Sequence, residues 1–200
     1  MYAVRSPRLA GVARASLTDP IATRARRILL LGVTGSGKST LARALEARHG
    51  IPAIDVDALA WQPGWVKTPE DDLRDAAARI AVTDSWVMDS AWSAIRPVVL
   101  PRTELVVALD LPRWLSLARL LRRTLVRAHT KEPICGENVE SWPMMLSRES
   151  IILWHFRSFA DKRAQMADWE ADPTAPPVLR LRTAAEVDHW LRLARPKDES

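Results

Sequence analysis

Gly32-Val33-Thr34-Gly35-Ser36-Gly37-Lys38-Ser39 constrains this chain more than any other stretch. It has the required residue at every fixed position of the pattern G-x-x-x-x-G-K-[ST], in which backbone N–H groups cradle phosphates. Just upstream, 27–31 is a short apolar run bounded by glycine, which reads as a buried strand. Just downstream, Leu41, Ala44, Leu45 and Arg48 recur at helical spacing among strong helix formers. A strand–loop–helix is therefore expected. Glycines let a phosphate chain approach the backbone and permit positive φ, and the free N–H groups and dipole of the helix start favour an anion. Gly32, Thr34, Gly35, Ser36, Gly37, Lys38, Ser39 and Thr40 are the expected contacts of a nucleoside triphosphate, with Lys38 on the β/γ-phosphates and the Ser39 hydroxyl on Mg²⁺.

The 200 residues suit one domain with a sizeable core. With 48% hydrophobic and 26% charged residues, the composition is that of an ordinary globular protein. No apolar run approaches the ~18 residues of a membrane helix, and the start has no apolar segment of a secretory signal. The single Cys135 excludes an internal disulfide and fits a reducing compartment, so a cytoplasmic location with no membrane partner is expected. The net charge of +5 suggests nucleic acid, but its position argues otherwise. Residues 1–27 hold six Arg and one acid, and the remaining residues balance to zero. We read 1–26 as a basic, mobile tail of transit-peptide-like chemistry, and 27–196 as the domain. Nucleic acid is thus a possible partner with little support, because backbone-phosphate binding needs a basic patch on the domain itself.

Further along, 51–57 reads as a turn and a short strand with Asp55 and Asp57 on one face. A Pro-Gly turn with Trp61 and Trp65 follows. Thr68-Pro69-Glu70-Asp71 is a helix start, and 86–89 is a strand ending in Asp89. The run 105–110 is an almost wholly apolar strand ending in Asp110, as expected where both faces are buried. Pro112 opens a long helix to about residue 129, 130–140 is a polar loop, and a second long helix spans about 143–169. A fifth strand, 178–182, leads to the capping box Thr183-Ala184-Ala185-Glu186 and a last helix. Five strands alternating with helices give an α/β fold: a five-stranded parallel sheet covered on both faces, with ligands at the carboxyl ends of the strands.

Gly35–Thr40 with Asp57, Trp61-x-Pro63-Gly64-Trp65, Trp86-Val87-Met88-Asp89-Ser90-x-Trp92 and Leu109-Asp110-x-Pro112-Arg113 together resemble the adenylate-kinase-like P-loop kinases. Within them the Trp-x-Pro-Gly-Trp segment is similar to the group named after DNA topology modulation. Ser90-Ala91-Trp92 departs from the Gly-Asn-Tyr typical of that group. The resemblance implies a three-layer α/β/α P-loop NTPase fold with a helical lid at about 128–142, ATP and Mg²⁺ as cofactors, and transfer of the γ-phosphoryl to a small-molecule or nucleotide acceptor.

The resemblance also implies residue roles. Asp89 would hold Mg²⁺ as a Walker-B carboxylate does. Asp57 would face the acceptor, with Asp55 its rival. Arg119, Arg123 and Arg127 recur at i, i+4, i+8 with Arg122 adjacent; like charges at that spacing disfavour an isolated helix, and arginines here would grip phosphate and transition-state charge. Arg182 would lie where such kinases touch adenine. Arg96, Arg157 and Arg163 are weaker candidates. Trp61, Trp65 and Trp92 cluster on the acceptor side, as core or as a stacking surface, while Trp114, Trp154 and Trp190 read as core. The four His have no metal-ligand spacing. The rival function is a P-loop ATPase coupled to a protein or nucleic-acid partner. No Asn-Lys-x-Asp guanine-reading string occurs, since Thr130-Lys131-Glu132-Pro133 fails at its last position.

Overall fold

The computed structural model describes residues 14–90, 92–131, 133–135, 138–139 and 150–194. Its centre is a parallel sheet in which short apolar strands supply alternate side chains to the two faces. In β2 (Arg27–Gly32), Ile28 and Leu30 point to one side and Leu29 and Leu31 to the other, the period of two that a strand imposes. One face packs on α1 (Pro20–Arg24), α2 (Lys38–His49) and the C-terminal helix through Leu41, Leu45, Leu179 and Trp190. The other packs on α3 (Val56–Ala60), α4 (Glu70–Ala81) and α5 (Arg96–Val99) through Val56, Leu73, Ala77 and Val99. This is the three-layer α/β/α architecture that the resemblance implies.

The sheet runs β1 (Arg14–Ala15), β10 (Val178–Leu181), β7 (Leu105–Leu109), β2, β6 (Trp86–Met88), β3 (Ala53–Ile54), all pairs parallel. It has six strands rather than the five expected. The sixth comes from the segment read as a tail. Arg14 and Ala15 pair with Val178 and Leu179, Ala15 and Ala22 are buried, Arg14 Nε lies 3.0 Å from Glu170, and the Trp190 indole donates to the Ala22 carbonyl at 2.7 Å. Two residues are too short to leave a periodic signal. Residues 1–13 lie outside the described residues.

Among the described residues, two antiparallel hairpins lie outside this sheet. The first is β4 (Trp61–Gln62) with β5 (Val66–Lys67), turning at Gly64. The second is β8 (Pro133–Ile134) with β9 (Asn138–Val139), in the stretch expected as a lid loop. The second hairpin follows α6 (Arg113–Thr130), and α7 (Ile151–Ala171) and α8 (Ala184–Leu193) complete the chain. The expected start of α7 near 143 lies outside the described residues.

Helix α6 is turned against its hydrophobicity. Ser116, Leu120, Thr124 and Ala128 face inward, while Leu121, Leu125 and Val126 are exposed. Trp114, two positions and about 200° from Ser116, is 71% exposed. Trp154, about 100° from the buried His155, is 56% exposed. Of the three tryptophans expected in the core, only Trp190 is there.

Candidate active site

The phosphate loop leaves β2 where its two neighbours, β6 and β7, diverge in chain order. That is the switch point at which open α/β sheets hold ligands. Its shape depends on glycine in two ways. A Cβ on Gly32 would stand 2.6 Å from Ser36 Oγ, and one on Gly35 would collide with the Ser116 carbonyl of α6. Gly35 and Gly37 also hold φ of +83° and +100°, which cost little without a Cβ. Gly37 is the N-cap of α2 and supplies no side-chain cap, and the first turn of α2 contains no acid. By contrast α4 carries Glu70, Asp71 and Asp72 in its first turn. The positive end of α2 thus has no carboxylate of its own against it.

Lys38 curls over the loop, and its ammonium donates to the Gly32 and Val33 carbonyls, both at 2.9 Å. Burial lowers its pKa to about 8, against the pull of Asp57 and Asp89; Lys162 and Arg123 push the same way as burial. Ser39, next on the helix, donates its hydroxyl to Asp89 Oδ2 at 2.6 Å. Asp89 stands just past the end of β6, 4% exposed, and its Oδ1 accepts the Val56 N–H at 3.1 Å. Burial raises its pKa, and the nearby charges of Asp55 and Asp57 add to this, while the Ser39 and Val56 bonds oppose it.

A hydroxyl and a carboxylate in contact are a reasonable donor pair for Mg²⁺, an ion that keeps waters and takes its remaining ligands from substrate phosphates. A cation there would offset the burial of the Asp89 carboxylate, the main cause of its raised pKa, and the lesser repulsion from Asp55 and Asp57. Among the described residues no cluster of three or more His, Cys, Asp or Glu forms an all-protein cage.

Asp55 and Asp57 do not share a strand face, because β3 ends at Ile54 and the chain turns into α3. Asp55 caps that helix, accepting the Ala58 N–H at 3.0 Å. Asp57 lies in its first turn and accepts the Trp92 indole N–H at 2.8 Å. Trp92, Trp61 and Trp65 do assemble: Trp61 meets Trp65 and Trp92 edge-on, with centroids 5.7 and 6.2 Å apart. The two hairpins are joined beside them by Asn138. Its Oδ1 accepts the Trp65 N–H at 2.7 Å, and its Nδ2 donates to the Gln62 carbonyl at 3.0 Å and to that of Cys135. Burial, then Asp57 and Asp55, push the Cys135 thiol up to about 12, which keeps it protonated at neutral pH.

The α6 arginines are spread around the helix, with Arg123 and Arg127 nearest its buried side. Arg119 Nη1 lies 3.4 Å from the Ser36 carbonyl, at the loop itself. Arg123 is half-buried and within electrostatic reach of Lys38, and Arg127 within reach of Cys135. Arg122 is exposed. Arg182 is exposed and borders a cavity of about 260 Å³ with Asp110, Leu111, Pro112, Arg113, Phe159 and Arg163. Its backbone N–H is taken by Glu186 at 2.6 Å, part of the Thr183–Glu186 capping box. Arg163 is engaged elsewhere: with Arg180 it clamps Asp110, at 2.9 and 2.8 Å.

Sequence reasoning missed three residues that tertiary structure brings to the site. Lys162, from α7, is within electrostatic reach of Lys38, and burial, then Arg96, lower its pKa. Asn138 joins the hairpins, and His155 touches the loop at Thr34. None carried a local signal, since the site residue that each reaches (Lys38, Trp65 and Thr34) lies far away in the chain.

No protein-family model and no curated protein matches the chain. Solved structures do. Shikimate kinase from Acinetobacter baumannii, in complex with shikimate, superposes with a TM-score of 0.50 at 18% identity, over 84% of this chain and 90% of that one. A gluconokinase from Sinorhizobium meliloti 1021 gives 0.46 at 17%, covering 84% and 93%. A sugar kinase from Janibacter sp. HTCC2649 gives 0.45 at 21%, covering 84% and 90%. The first of these carries the fold: the chain shares its three-layer α/β/α architecture.

Proposed function

We propose that the protein is an ATP- and Mg²⁺-dependent phosphotransferase acting on a small molecule or nucleotide. The observation that carries this reading is the pair formed at the loop: Lys38 folded over it, and Ser39 in contact with Asp89 across the switch point. Phosphoryl transfer asks a protein for positioning and charge neutralisation more than for covalent help. The loop amides and Lys38 bind the triphosphate, and Ser39 and Asp89 hold the metal, which supplies charge neutralisation on the phosphates. Arg119, Arg123 and Arg127 steady the phosphate and the developing charge. Asp57 orients the acceptor hydroxyl and takes its proton. The base lies in the cavity edged by Arg113 and Arg182, and Trp61, Trp65 and Trp92 wall the acceptor side.

The segment around 128–142 acts as the lid, which excludes water so that the triphosphate is not wasted on hydrolysis. The Trp-x-Pro-Gly-Trp hairpin keeps the group named after DNA topology modulation as the finer assignment. We place the protein in the cytoplasm, on its single cysteine and on the lack, among the described residues, of a helix long and apolar enough to cross a membrane.

The test is ATP turnover against a panel of nucleoside monophosphates, nucleosides, sugars, gluconate, shikimate and DNA 5′-ends. We expect one acceptor to stimulate turnover and to carry the phosphate. Lys38→Ala should lower that rate by roughly 10²–10³-fold or more. Normal turnover in this variant, or slow hydrolysis indifferent to every acceptor, would overturn the reading and favour a partner-coupled ATPase.

A further inference from the structure

One buried titratable side chain touches the phosphate loop without belonging to it. His155, on α7, is fully buried, and its Nδ1 lies 3.0 Å from the Thr34 carbonyl. A carbonyl only accepts, so Nδ1 carries the proton. The other nitrogen, Nε2, is buried with no partner among the described residues. The ring stands edge-on to Phe156 at 6.1 Å and tilted against Phe159 at 5.8 Å. Burial, reinforced by Arg113 and opposed by the Thr34 bond, lowers its pKa and keeps it neutral.

Peptide geometry gives this bond a consequence. The 34–35 peptide is trans and planar, so the Thr34 C=O and the Gly35 N–H point in opposite directions. Drawing the carbonyl toward α7 aims the Gly35 N–H the other way. The same residue is braced by α6, where Gly35 abuts the Ser116 carbonyl. We propose that His155 is a positioning residue for phosphate: its Nδ1–H fixes the 34–35 peptide so that the Gly35 N–H faces the phosphate cradle, and it does so from α7, on the far side of the lid hairpin from α6. The loop is then held between the two helices that flank that hairpin, and a shift of α7 would reorient a phosphate-binding amide.

The proposal rests on the reading of the loop as a triphosphate site. Its test uses the full chain and three variants. In His155→Asn the side-chain amide can donate from the place of Nδ1. In His155→Gln the donor lies further out, near Nε2, and in His155→Leu there is none. Binding of inorganic tripolyphosphate and of adenosine is measured by calorimetry for each, beside wild type and Lys38→Ala. We expect Gln and Leu to weaken tripolyphosphate binding roughly 3- to 10-fold, the worth of one positioned hydrogen bond. Asn should restore it, and adenosine binding should stay level throughout. If the Leu variant fails to fold, the contrast of Asn with Gln decides. Equal tripolyphosphate affinity in Asn and Gln, or a matching loss of adenosine binding, overturns the proposal while the triphosphate reading stands. A wild-type chain that binds tripolyphosphate no better than Lys38→Ala overturns both.

Discussion

The two walls of the site are held in different ways. On the phosphate side one loop is fixed from several directions: by Lys38 on its carbonyls, by α6 through Gly35 and Arg119, and by α7 through His155. On the opposite side two short hairpins meet, among the described residues, through Asn138, beside three edge-on tryptophans. Under the proposed function the difference matches what each wall would recognise. A triphosphate presents the same oxygens each time, so a rigid cradle loses least on binding. An acceptor must enter and leave, so its wall has to open, and an element joined by few bonds opens at small cost.

The sharpest way to break this comparison is to remove charge from the acceptor wall without disturbing its packing. Asp57→Asn retains an oxygen that can accept the Trp92 N–H, so the local structure should survive. If Asp57 serves the acceptor as proposed, kcat should fall roughly 10²–10⁴-fold. Because Asp57 also supports the charge on Lys38, a small weakening of ATP binding should accompany it. A loss confined to ATP affinity, with kcat intact, would move Asp57 from the acceptor wall to the phosphate wall.

The same contrast explains what could be read in the sequence. The phosphate loop is eight consecutive residues whose flanks are locally helical and locally strand-like, so every level of the pattern agrees. The acceptor wall is assembled from distant segments. The pattern of 51–57 predicts Asp55 and Asp57 on one face of a strand, but the strand ends at Ile54, three residues early, and an N-cap at Asp55 separates them. Helix α6 misleads by hydrophobicity: its buried side places Ser116 and Thr124 beside Leu120 and Ala128, while Leu121, Leu125 and Trp114 are exposed. The edge strand β1 has too few residues for any period. These failures fall where the site or the sheet edge overrides local preference.

Asn138→Ala gives a smaller effect, aimed at the link between the hairpins. It frees the Trp65 N–H and the Gln62 carbonyl, and since Gln62 is exposed and Trp65 half-buried, each lost bond should cost about 0.5–1.5 kcal/mol. Amide exchange at Trp65 should quicken, and the acceptor KM should rise with little change in ATP affinity. Unchanged exchange at Trp65 would mean that the hairpins are joined by more than this side chain.

The smallest effect is a proton. The Lys38 pKa of about 8 lies below the ordinary lysine value of 10.5, so in the free protein the folded state binds fewer protons than the unfolded chain between those limits. Stability of the free protein should therefore rise with pH across that interval, as the cost of burying the ammonium disappears. Binding works in the opposite sense. A bound triphosphate favours the charged lysine, so ATP affinity should fall as pH rises through about 8, by at most about tenfold per unit. At pH 9 the binding reaction should take up most of one proton. Calorimetry in two buffers of different ionisation enthalpy reads this directly, and Lys38→Met should abolish the buffer dependence. Equal heats in the two buffers with the wild-type chain would show that Lys38 stays charged in the free loop. The phosphate wall would then be poised for its ligand by the two carbonyls alone.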